Sequence, residues 1–241
     1  MEQIRLNKYL SDTGVCSRRE ADRLTESGRI TINGRKAELG EKISGKERIC
    51  LDGRPVRPAP ADRERVVLAV HKPRGIVCTT VENCHEKHSI VGMVGYPSRI
   101  YPIGRLDKDS EGLILMTDDG ALVNRILRGR YGHEKEYEVR VNRPVTAEFL
   151  RAMEKGVPIL NTVTRPCRCG KIGEKEFRIV LTQGLNRQIR RMCQALGYEV
   201  CRLKRVRVMN VLLGGLGPGE YRELTEEERQ ELYRICGEPK E

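Results

Sequence analysis

Residues 102–117, Pro102-Ile-Gly-Arg-Leu-Asp-Lys-Asp-Ser-Glu-Gly-Leu-Ile-Leu-Met-Thr117, decide how the rest of the chain is read. A polar turn between two glycines holds Asp107 beside Arg105 and Lys108. The apolar run 113–116 that follows is long enough for a buried strand. Neighbouring cations favour an ionised carboxylate. An ionised acid at the head of a buried strand suits a nucleophile or a base. It suits a turn cap or a partner for Arg105 equally well. Asp107 and Asp109 could also join Asp118 or Asp119 around Mg²⁺, as in a nuclease, although no Glu or His cluster supports that.

Outward from this turn, Thr117-Asp118-Asp119-Gly120 offers N-cap oxygens for a helix to Leu127 carrying Leu122, Val123, Ile126 and Leu127. Segment 136–142 alternates as a half-buried strand. It puts Tyr137, Val139 and Val141 on one face and Glu136, Glu138 and Arg140 on the other. Thr146 caps a helix that Gly156 closes, and 176–182 is a further strand. Gln183-Gly-Leu-Asn-Arg-Gln-Ile-Arg-Arg-Met-Cys-Gln-Ala-Leu-Gly197 reads as a loop entering a helix whose amide-rich start can seat an anion. Arg187 and Arg190 are expected on one face of it, and Ile189, Met192, Cys193 and Leu196 on the apolar side. A basic strand at 202–207, a loop at 214–219 and a helix capped by Thr225-x-x-Glu228 complete this part.

Upstream, 66–70 is a short buried strand closed by the loop 71–75, which could touch a phosphate; 82–98 is polar and irregular. Elements interleave with too few βαβ units for a doubly wound sheet. The expected class is α+β with a mixed, largely antiparallel sheet.

The first sixty residues differ in kind. Ile4, Leu6, Tyr9 and Leu10 fit one face of a short helix ended by Gly14, and Ser17-Arg-Arg-Glu20 has the form of a capping box opening a helix to Glu26. Asn33-Gly34 and Asp52-Gly53 are turn signals. Arg54-Pro-Val-Arg-Pro-Ala-Pro60, together with the charged 61–65, reads as a stiff linker.

The chain of 241 residues has no Trp and two Phe, so its core is aliphatic, and its net charge of +11 fits a phosphate-rich partner or simply a soluble basic protein. Between Gln183 and Asn210 there are seven Lys or Arg (Arg187, Arg190, Arg191, Arg202, Lys204, Arg205, Arg207) against Glu199 alone. From Glu220 to Glu241 there are eight acids and four bases. A basic stripe beside an acidic tail is directed rather than merely solubilising. No signal-peptide core and no membrane-length apolar run is present. Nine scattered cysteines without a Cys-x-x-Cys point to free thiols in a reducing cytoplasm. Neither 84–88 nor Cys167-Arg-Cys169 has a metal-ligand partner at a familiar spacing, so no metal is expected.

The stretch "RLNKYLSDTGVCSRREADRLTESGRITINGR" resembles the S4 RNA-binding domain. Behind it, "GRLDKDSEGLILMTDDG", "HEKEYEV" and "GLNRQIRRMCQALGYEV" resemble, in that order, the RsuA-type family of bacterial ribosomal-RNA pseudouridine synthases. Within it the likeness is to the RluF type, which acts on 23S ribosomal RNA. The resemblance covers nearly the whole chain. It implies an S4-like domain over 1–60 and a catalytic domain over 61–241. It also implies that Asp107 is the nucleophile toward the target ribose, that Tyr137 stacks on the base and shares in proton transfer, and that Arg190 is the cation paired with the aspartate, with Arg187 beside it. Arg105, Leu106, Lys108, Arg187, Gln188, Ile189, Arg18 and Arg19 are the implied RNA contacts. Isomerisation within one nucleotide needs no cofactor, and a cytoplasmic monomer without membrane attachment is expected. Transfer RNA is a possible second substrate. Some relatives carry a long basic C-terminal extension where this chain turns acidic, and 82–98 matches poorly; both bear on the RNA target. The competing reading is a non-catalytic RNA-binding or ribosome-assembly factor on the same fold.

Overall fold

Leu6, Tyr9 and Leu10 are buried from one side of α1 (Leu6–Asp12) in the computed structural model, which describes residues 3–57, 65–79, 88–127 and 132–237. The chain divides into two compact units, Met1–Arg65 and Val66–Glu241. In the first, β1 (Ile4–Arg5) precedes α1 and α2 (Arg18–Glu26) follows it. Ser17 caps α2 by accepting the Glu20 amide at 3.0 Å. The Glu20 carboxylate turns to Arg23 instead of completing the box. The strands β2 (Ile30–Ile32), β3 (Arg35–Lys36), β4 (Lys42–Ile43), β5 (Ile49–Leu51) and β6 (Arg54–Pro55) follow. Four of them form a sheet in the order β3-β2-β5-β6, and β4 pairs with β1. Asn33 and Gly34 both have positive φ, 52° and 87°, as a type I′ hairpin demands. Leu10, Ala21, Ile30, Ile32, Ile43 and Ile49 close the core.

Two expectations change here. Ile4 belongs to a strand, not to the helix. Arg54 and Pro55 extend the sheet as its edge, where a missing amide costs nothing, rather than opening the linker. The expected domain junction at 60/61 and most of that linker lie outside the described residues.

The second unit contains β7 (Val67–Lys72), α3 (Ile90–Val94), β8 (Tyr101–Pro102), β9 (Glu111–Thr117), α4 (Gly120–Leu127), β10 (Lys135–Val141) and α5 (Ala147–Lys155). Then come β11 (Pro158–Ile159), β12 (Thr162–Val163), β13 (Arg168–Gly173), β14 (Glu176–Leu181), α6 (Gln188–Ala195), β15 (Val200–Val208), β16 (Val211–Leu212), β17 (Tyr221–Glu223) and α7 (Glu226–Gly237). One sheet runs β13-β14-β10-β15-β9-β7-β17, with β16 on β15 and β8 on β9. The β9–β15 contact is parallel and the other pairs are antiparallel, so the α+β class with a mixed, largely antiparallel sheet holds.

Alternation sets the layers. Val139 and Val141 of β10 pack with Phe177 and Ile179 of β14 against α5 and α6, where Phe149 meets Phe177 edge to face at 5.2 Å. Leu113 and Leu115 of β9 face α4 and α7, while Ile114 and Met116 face α3. Helix ends follow the sequence signals: Asp119 receives the amides of Ala121 and Leu122, Thr146 that of Phe149, and Thr225 and Glu228 cap reciprocally. Of the segment expected to be irregular, 82–87 lies outside the described residues and 88–98 contains α3, capped by Ser89. The strand expected at 66–70 continues through Lys72, because His71 and Lys72 point into the interior.

Candidate active site

Gly104 and the tight turn 107–110 bring the chain back into β9, so the Asp107 carboxylate stands at the head of a strand that is buried from Gly112 to Thr117. Ser110 N–H donates to the Asp107 carbonyl at 3.0 Å. The turn is gripped from behind: Gly75 N–H donates to the Lys108 carbonyl at 2.8 Å, and the fully buried Lys72 Nζ reaches the carbonyls of Pro73 at 2.9 Å and Lys108 at 3.5 Å. Burial pushes the Lys72 pKa down, opposed by the neighbouring Cys78, Asp107, Asp109 and Glu111. Lys72 is therefore a buttress of the aspartate turn and not the phosphate contact that loop 71–75 suggested.

In front of the turn lies a cavity of about 540 Å³. Asp107 shares its wall with Arg105, Leu106 and Ser110 from the turn, Tyr137 and Lys135 from β10, Arg187, Gln188 and Ile189 at the start of α6, and Leu203 and Arg205 from β15. This is the ordinary size for a small-molecule or nucleoside pocket. Tyr137 and Arg205 are directly paired across β10 and β15, so both side chains leave the sheet on the same face. The half-buried Tyr137 packs against both neighbouring core clusters, which fixes its ring.

Arg187 Nη1 lies 3.9 Å from Asp107 Oδ2 and 3.7 Å from Asp109 Oδ2. Arg190, the residue the sequence resemblance paired with the aspartate, sends its guanidinium to the Asp109 carbonyl at 3.2 Å, to Ser110 Oγ at 3.4 Å and to the Val200 carbonyl at 3.3 Å. Burial, then Arg187, pull the Arg190 pKa below the ordinary arginine range, with Asp107 and Asp109 opposing. One arginine thus lies at the carboxylate and the other at the backbone behind it. Nor do the two share a helical face. Arg187 precedes α6 in the left-handed conformation, φ 49° and ψ 35°, an uncommon state for a side-chain-bearing residue that turns it toward the acids.

The other expected RNA contacts divide by exposure. Arg105 and Lys108 are exposed beside Asp107; Leu106 is buried, its amide donating to Cys78 Sγ at 3.4 Å. Gln188 is buried and accepts the Leu185 amide, and Ile189 is core. Arg18 and Arg19 are exposed in the first turn of α2, in the other unit.

The basic stripe is not one surface. Arg207 is held by Glu134 at 3.1 Å and Glu136 at 2.7 Å, Arg202 pairs with Glu111, Arg191 binds the carbonyl and side chain of Asn186, and Arg205 is buried. The acids that hold Arg202 and Arg207 lie 71 to 91 residues away in sequence. Lys135 and Arg205 are site residues that sequence reasoning missed; the i, i+2 spacing of Lys135 and Tyr137 was the one available signal.

The acids of the Mg²⁺ alternative are engaged elsewhere: Asp118 accepts the Val66 amide, and Asp119 caps α4 and accepts the Tyr233 hydroxyl. Cys167 and Cys169 lie with sulfurs 3.8 Å apart, and residues 84–87 fall outside the described residues. Among the described residues, no group of three or more His, Cys, Asp or Glu is placed to hold a metal, and no helix is long and apolar enough to cross a membrane.

Comparison with known proteins agrees with this architecture. A family model described as RNA pseudouridylate synthase matches residues 66–195, and one described as S4 domain matches residues 4–49. The dual-specificity RNA pseudouridine synthase RluF of Salmonella typhi is 52% identical over 231 residues, covering 96% of this chain and 79% of its own. The ribosomal large subunit pseudouridine synthase B of Bacillus subtilis is 35% identical, with 96% of each chain covered. A pseudouridylate synthase crystal structure superposes with a TM-score of 0.68 at 27% identity, covering 95% of this chain and 99% of the other. With its S4 domain, its mixed sheet and this similarity along nearly its whole length, the chain belongs to the RNA pseudouridylate synthase family.

Proposed function

We propose that this synthase converts specific uridines of ribosomal RNA, those of 23S RNA first, into pseudouridine, with Asp107 as the nucleophile. The observation that carries the reading is the Asp107 carboxylate on the wall of a nucleoside-sized cavity, with Arg187 at 3.9 Å and Tyr137 on the same wall. A base stacked in a helix cannot enter such a cavity. The target nucleotide is swung out, at a cost of a few kcal/mol recovered through stacking and hydrogen bonds inside. The Tyr137 ring is the platform. Asp107 attacks the ribose carbon, or assists elimination there, as the N1–C1′ bond breaks; the uracil turns and rejoins C1′ through C5. Arg187 stands at the acid's edge, and Arg190 holds the 109–110 backbone so that the carboxylate does not drift.

Arg105 and Lys108 at the rim, with Arg18 and Arg19 on the S4 helix, take phosphates. Such contacts position the RNA without reading its sequence. Cations in the first turn of a helix oppose the helix dipole, so the two S4 arginines cost the fold something that a phosphate ligand would return. The relatives named for dual specificity and for the large ribosomal subunit support ribosomal RNA as substrate and a second class beside it, for which transfer RNA is the candidate. A ribosomal substrate places the enzyme in the bacterial cytoplasm. Pseudouridine mapping at nucleotide resolution, in cells with and without the protein, tests this. Loss of one or a few 23S sites is expected; an unchanged ribosomal RNA map would refute the substrate.

A further inference from the structure

The cavity carries more positive charge than its carboxylate can answer. Among the described residues, Asp107 is the one acid on its wall, against Arg105, Arg187, Lys135 and Arg205. Arg187 is beside Asp107 and Arg105 is exposed at the rim, where phosphates can reach. Lys135 and Arg205 are different. Arg205 is 3% exposed, its Nε donates to the Leu113 carbonyl at 2.6 Å, and its Nη2 is buried with no hydrogen-bond partner. Burial, and then the charge of Arg205, bring the Lys135 pKa down to about 8. A buried guanidinium and a half-buried ammonium on one wall are expensive unless an anion joins them. No phosphate of the RNA backbone can reach a guanidinium so deeply buried, but a base swung into the cavity can.

We propose that Lys135 and Arg205 form the wall that receives the uracil and stabilises the negative charge it carries while detached from the ribose. This rests on the pseudouridine synthase reading above. When the N1–C1′ bond breaks, its electron pair leaves with the ring, and the charge spreads over N1, O2 and O4. Lys135 Nζ and Arg205 Nη2 donate to those oxygens. After C5 bonds to C1′, the C5 proton departs and N1 gains one, so atoms and charge balance without a co-reactant. Because the charge exists only between the two bond events, these donors favour the transition state over the bound uridine.

The test compares single-turnover rates of wild type, K135M and K135R on 23S RNA transcripts made with uridine or with 5-fluorouridine, following loss of the target nucleoside. Fluorine at C5 lets the ring bear negative charge unaided. K135M is expected to be about 100-fold slower on uridine RNA but only about 10-fold slower on 5-fluorouridine RNA, with RNA affinity within about twofold of wild type, and K135R is expected to recover most of the rate. If K135M proves unstable, R205K, which keeps the charge and shortens the donor, must show the same unequal loss. An equal defect on both RNAs, or wild-type rates in the variants while D107N is dead, overturns this inference alone. A wild-type protein inactive on both RNAs, or an active D107N, overturns the underlying reading as well.

Discussion

Replacing Gly112 by alanine attacks the joint on which the site is hung. Gly112 sits at φ 105° in β9, opposite Arg205 in the parallel β9–β15 pairing, which is limited to Lys204–Glu111 and Arg205–Gly112. A Cβ here would lie 2.2 Å from the Arg205 carbonyl oxygen and 2.6 Å from its amide nitrogen. Both obstructions are backbone, so no rotamer change relieves them. The positive φ costs about 1–3 kcal/mol for a side-chain-bearing residue, and overpacking adds about 1–3 kcal/mol. A loss near 4 kcal/mol is expected. For a unit of this size about 2–4 °C accompanies each kcal/mol, so the catalytic unit should melt about 10 °C lower. Thermal unfolding followed by circular dichroism measures it. Activity assayed well below the new Tm should fall further than folding does, because moving β9 from β15 separates Asp107 from Arg205. A G112A protein melting within about 2 °C of wild type would show that the two strands part at no cost, and the reasoning would fail.

Lys135 makes a pH prediction. Its pKa is about 8 in the folded chain against an ordinary 10.5, so between those values the unfolded state holds a proton that the folded state has released. Stability from this group therefore rises as pH rises from about 8 to about 10.5, and is lowest below 8. The difference in unfolding free energy between wild type and K135M should move by up to about 3 kcal/mol in favour of wild type between pH 7 and 10.5; a flat difference refutes the burial argument. In RNA titrations against salt, R18A/R19A should lower the slope by about two, whereas R207A, whose guanidinium is held by Glu134 and Glu136, should leave it unchanged. A large effect of R207A would restore the basic stripe. T225A removes half of the box that opens α7 and should cost about 1 kcal/mol in chemical denaturation.

What the sequence disclosed was local. The apolar run of β9, the caps at Ser17, Thr146 and Thr225, the Asn33-Gly34 turn and the alternation of β10 are written in spacings of two to four residues. Asp107 drew attention because its turn is short and charged. The misread residues depend on partners far along the chain. Lys72 looked like a loop cation until β7 was seen to run on beneath the Asp107 turn. Arg205 counted as surface charge although β15 alternation, set by pairing with β10 and β9, drives it inward. The register shift between Glu136 and Tyr137 breaks simple counting across β10 and β15. Arg187 took a place on a helix face because nothing local announces a left-handed residue before a helix start.

The central claim is that one carboxylate does chemistry on a swung-out nucleoside. Tritium release from C5-labelled 23S RNA by wild type and by D107N, with binding of the same RNA measured in parallel, tests it most directly. The account predicts stoichiometric release by wild type, none above background by D107N, and RNA affinity within about threefold, since the variant keeps every phosphate contact. Release by D107N at a rate near wild type would contradict it.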